Sequence, residues 1–172
     1  MCLLLLVAGT FIMMTVMAKT GATLKTPATP KGILDLEFAY NQTKVATVVT
    51  AWSDNSSVNN IRVAKENTWL DFIFIFFYSL LLSQACSMIA ISGQGFLFTM
   101  GRLLAKAALI AGLLDVLENI GMLITLSGNG SAICAALTAF SSILKWGIVI
   151  LIVLYILITG LVISYTKLTR SL

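Results

Sequence analysis

The chain has 172 residues, 59% of them apolar and 10% charged, with a net charge of +4 and no histidine. This composition lies outside the soluble range and describes one polytopic membrane domain over residues 1–172. It excludes Ser-His and Cys-His catalysis, His-ligated haem and His-based zinc sites, and no Lys/Arg block points to nucleic acid.

Four apolar segments are expected to cross the membrane as helices, giving an all-α fold. The first covers residues 2–18, at the short end for a span. It lacks the basic start of a signal peptide and is read as a retained span. Residues 19–68 form a polar extramembrane segment that opens with a Pro- and Gly-containing linker, TGATLKTPATPKG. Leu34, Phe38, Val45, Val48, Val49 and Trp52 then recur at helical spacing, which predicts one amphipathic helix over residues 33–52. SDNSSVNN closes it as a turn, and IRVAKENT is a short helical lead into the second span, residues 69–91. SGQG turns the chain into the third span, residues 96–126, which is longer than a bilayer core and should protrude. SGNGS turns it into the fourth, residues 143–165. Cys2, Cys86 and Cys134 are far apart and form no CxxC pair.

Four alternating spans put the 19–68 segment, the end of span three and the start of span four on one side. All seven acidic residues (Asp35, Glu37, Asp54, Glu66, Asp71, Asp115, Glu118) and Lys145 fall in that half. The other half carries Arg102, Lys106, Lys167 and Arg170 without an acid, which makes it the cytoplasmic side of a cell membrane. Residues 19–68 are then extracytoplasmic, although Lys19, Lys25 and Lys31 directly after span one argue for the reverse.

The third span holds the most informative residues. Asp115, Glu118 and Asn119 lie on one helical face, and the same face carries Ala105, Ala108, Ala111 and Gly112, small residues that admit a neighbouring helix. An ionisable group at membrane depth costs at least a few kcal/mol unless it meets a partner, cavity or pathway. Lys145 on span four is within reach of this face, so the four residues form a polar intramembrane cluster. A structural ion pair completed by Asn119 and a proton relay or cation site both remain open. Glu37 and Asp71 are interface candidates for the same side. Asp71 with Asp115 lacks the glycine-flanked motif of an aspartate intramembrane protease. Arg102 and Lys106, one turn apart, are interface residues that snorkel or hold a lipid headgroup. Tyr78 and the aromatic run at 72–77 read as packing. Asn41, Asn55 and Asn129 begin glycosylation-type triplets, which matter only in a eukaryotic secretory setting.

LDLEFA at 34–39, Trp52, LDFIFIFFYSLLL at 70–82 and GRLLAKAALIAGLLDVLEN at 101–119 together resemble a group of small, uncharacterised bacterial four-span membrane proteins. The likeness spans residues 33 to about 126 and imports no activity. It implies that Glu37, Asp71, Arg102, Asp115, Glu118 and Asn119 belong to one pattern. The expected molecule is a four-span integral membrane protein with one amphipathic extramembrane helix. With no nucleophile–base pair, metal motif or phosphate loop, it is read as non-enzymatic and without metal or cofactor. An accessory or interaction subunit is the preferred role, with the bilayer and a protein partner or second copy as its contacts. The alternatives are a small transporter or ion-coupled binding protein using the intramembrane acids, and a lipid-acting enzyme using Glu37 and Asp71.

Overall fold

A computed structural model describes residues 2–54, 58–92 and 95–170, excluding the side chains of Cys2, Ser92 and 163–170. The whole Asn55-Ser56-Ser57 triplet, the centre of the SGQG turn and the Lys167 and Arg170 side chains lie outside that description. The described residues are 88% helical with no strand, and four helices are long and apolar enough to cross a membrane. The fold is all-α, as the apolar spacing predicts.

Helix α1, Cys2–Thr20, is apolar around its whole circumference. Its threonines return their hydroxyls to the helix: Thr10 donates to the Leu6 carbonyl and Thr15 to that of Phe11, both at 2.8 Å. No hydroxyl is thereby left unsatisfied toward lipid. The amide of Asn67 fastens the end of α1, donating to the Met17 carbonyl at 3.0 Å and to Thr20 Oγ1 at 2.8 Å.

The expected single helix over 33–52 is two helices, α2 (Ile33–Glu37) and α3 (Gln42–Ser53). Gly32, at φ 64°, admits the turn into α2, and the Phe38 N–H closes that helix by donating back to the Leu34 and Leu36 carbonyls. Asn41 is extended, at φ −147° and ψ 165°, and its Oδ1 accepts from the Lys44 N–H at 2.9 Å. That is an N-cap, which favours asparagine and starts a new helix within the apolar periodicity. Trp52 packs α3 down with Leu24, Leu36, Val48, Ala64, Met122 and Leu126. Its indole N–H is shared between the Leu24 carbonyl at 3.0 Å and Thr29 Oγ1 at 3.2 Å.

Helix α4 runs Asn60–Ser92, absorbing IRVAKENT into the span, and α5 runs Phe96–Ile124. A π turn over Thr125–Asn129, relieved at Gly128 (φ 87°), replaces the last turn expected of span three. Helix α6, Ala132–Arg170, starts well ahead of the expected residue 143. Its early turns carry Thr138, Ser141 and Ser142, polar in the sequence yet all three buried. Helix α5 packs between α4 and α6, and α1 lies against α4. The α4–α5 seam is close at Gly112, where an added Cβ would stand 2.9 Å from Ser79 Cβ.

Candidate functional site

The buried face of α5 presents Ala105, Ala108, Ala111, Gly112, Asp115, Glu118 and Asn119 inward. Lys145 enters from α6, itself buried, and its ammonium is the hub of the arrangement. It donates to Asp115 Oδ1 at 2.7 Å and to Glu118 Oε1 at 3.0 Å, with Glu118 Oε2 at 2.9 Å. Glu37 completes the ring from α2, its Oε2 3.6 Å from the ammonium. The short contacts to Asp115 and Glu118 are charge-assisted hydrogen bonds, the strong kind, and hold α5 and α6 in register, while Glu37 on α2 joins them through the longer ion pair.

Asn119 is placed otherwise than expected. Instead of completing the bonds around Lys145, its amide donates to Asp71 Oδ2 on α4 at 2.7 Å. The other oxygen of Asp115 accepts from the Tyr78 hydroxyl, also at 2.7 Å. Tyr78 is the participant that a packing reading of the aromatic run misses. Its signal is spacing: it follows Asp71 by seven residues, two helical turns, and so shares that residue's face.

A cavity of about 340 Å³ reaches this centre. Glu37, Asp71, Tyr78, Asp115 and Lys145 line it together with apolar side chains of α1, α2, α4 and α6. Glu118 and Asn119 stand behind its wall, with no exposed surface. Four carboxylates therefore gather around one ammonium, since Asp71 faces the same cavity as the ring on Lys145. Carboxylates in excess of their cations at this depth must hold protons or meet a positive group, because an uncompensated buried charge is too costly to keep.

Arg102 and Lys106 belong elsewhere. Both are exposed, and the Arg102 guanidinium lies 5.5 Å from the centre of the Phe98 ring. Sixteen residues of helix separate Arg102 from Glu118, which is about 24 Å. Asp35 is also apart from the centre and accepts from the Lys31 N–H at 2.7 Å. No protein-family model matches the chain, and comparison with curated proteins and with solved structures gives no significant match.

Proposed function

We propose that this integral membrane protein is a small proton- or cation-coupled binding protein, acting as a transporter when its centre exchanges contents between the two sides. The observation that carries the reading is the imbalance at and behind the cavity wall: among the described residues Lys145 is the one cation facing Glu37, Asp71, Asp115 and Glu118, with the Tyr78 hydroxyl bonded to Asp115. An ion pair built only to fasten helices needs one acid per base. Surplus acids beside an accessible space are what a site requires when it takes up and releases positive charge. The resemblance to small four-span bacterial proteins sits well with this proposal, since its pattern contains the same acids.

The test is the stability of the purified protein in lipid nanodiscs across pH and across a panel of monovalent and divalent cations. The unfolding midpoint should depend on both, and Asp115→Asn and Glu118→Gln should remain folded while losing that dependence. A midpoint indifferent to pH and cations, or variants that do not fold at all, would leave the centre with a structural role.

The accessory-subunit reading has its own support, because Lys145 bridges α2 to α5 and so docks the extramembrane segment on the bundle. A repeatable, near-stoichiometric protein partner on isolation from native membranes would carry it. In either reading we propose that residues 19–68 face the extracytoplasmic side.

A further inference from the structure

We propose that the cavity takes a lipophilic monocation: an amphiphile with one amine or quaternary ammonium group and an apolar tail. This rests on the proton- or cation-coupled reading above and names the class of ligand.

The cavity is graded. Helices α4 and α6 both run inward from the side that carries α2 and α3, and α1 runs outward to it. Along α6 the lining passes from Lys145 to Val149 and Val153, four and eight residues further in, or about 6 and 12 Å. Along α4 it passes from Asp71 to Leu81 and Leu82, about 15–17 Å deeper. On α1, Met17 lies near the polar end and Thr10 toward the apolar one. The space is thus charged at one end and apolar toward the bilayer interior, the outline of a molecule with a charged head and a greasy tail. Its volume of about 340 Å³ lies near the bottom of the range for small-molecule sites, about 300–1,000 Å³.

The sign of the head follows from the walls. Glu37 is only 8% exposed, lines the cavity, and its Oε2 has no hydrogen-bond partner among the described residues. Its nearest cation, Lys145, is 3.6 Å away and already engaged by Asp115 and Glu118 at shorter range. A buried acceptor left in this condition has a place for a positive group or a donor. The aromatic lining suits the same guest: Phe74 and Tyr78 pack with ring centres 5.2 Å apart and Trp146 stands on the facing helix. Such π faces attract alkylammonium groups. An anionic head would meet Glu37, Asp71 and Asp115, and a zwitterionic phospholipid would bring its phosphate against the same acids. Of these heads only a cationic one improves the charge balance, and its arrival displaces protons from the surplus carboxyls to solvent.

The experiment is calorimetric titration of the full chain in lipid nanodiscs with octyltrimethylammonium, octyl sulfate and octanol, run in two buffers of different ionisation enthalpy to count protons. The expected result is saturable one-to-one binding of the ammonium alone, with proton release. Glu37→Gln should weaken it about tenfold or more, because one close charge is lost from a low-dielectric site. Val153→Phe, which fills the tail end without touching a charge, should block it as well. Equal binding of octyl sulfate, or full affinity in Glu37→Gln, would overturn the inference. If no amphiphile binds while stability still follows pH and cations, this inference fails and the coupled-site reading stands. If neither responds, both fall.

Discussion

Lys145 carries more of this molecule than any other single side chain. Its ammonium is buried at membrane depth, where an unpaired charge would be neutralised or expelled. Asp115 at 2.7 Å and Glu118 at 2.9 Å pair it there. Removing it reverses the problem, since Asp115, Glu118 and Glu37 then face one another with no cation among them. Lys145→Met, similar in length and apolar, should destabilise the protein by about 3–5 kcal/mol, the usual cost of stripping one partner from a buried pair. Adding Glu118→Gln should restore part of that loss, because the second change removes a stranded carboxylate. A double-mutant cycle on thermal unfolding in detergent measures both. Additive losses would mean that the two residues do not act on each other.

At the scale of elements, the seams depend on small residues that are not equivalent. Gly112 faces Ser79, whose Oγ would lie 3.2 Å from an added Cβ, whereas a Cβ on Gly147 would meet nothing within 4 Å. Gly112→Val should force α4 and α5 apart at a cost of about 1–3 kcal/mol. Gly147→Ala should instead raise stability by about 0.5–1 kcal/mol, since an open helical glycine only wastes chain entropy. Unfolding midpoints of the two variants moving in the same direction would refute this account of the seam. These helices were legible in the sequence because runs of apolar residues and the Ala/Gly face of span three survive any packing arrangement. The break at 38–41 was not, because the apolar period runs through it and only the capping bond of Asn41 to the Lys44 N–H marks a new start. The meeting of Asp115, Glu118 and Lys145 could be read from depth along two antiparallel helices. Tyr78 on Asp115, and Asn119 on Asp71 rather than on the lysine ring, needed the rotation of α4 against α5, which spacing alone leaves free. The cavity is a property of α1, α4, α5, α6 and α2 together and has no signature in any one of them.

The whole molecule is electrically lopsided. Glu37, Asp71, Asp115 and Glu118 converge with α2 and α3 at one end, while Arg102 and Lys106 sit exposed toward the other. Lys and Arg are retained on the cytoplasmic side during insertion and acidic residues have little say, so the basic end without acids is the one that should stay inside. Lys19, Lys25 and Lys31 pull the opposite way, next to the end of α1. The later spans decide if the α4–α5 hairpin inserts as a unit, as the close packing of those two helices favours. Two exposed sites separate the outcomes: Thr43 on α3 and Thr99 in the first turn of α5. In a chain cleared of its native cysteines, Thr43→Cys should react with a membrane-impermeant maleimide on intact cells, and Thr99→Cys only after permeabilisation. The reverse pattern would place the charged mouth of the cavity on the cytoplasmic side. A coupled transporter would then meet the interior pH at its carboxylates first, and the direction in which a gradient drives it would invert.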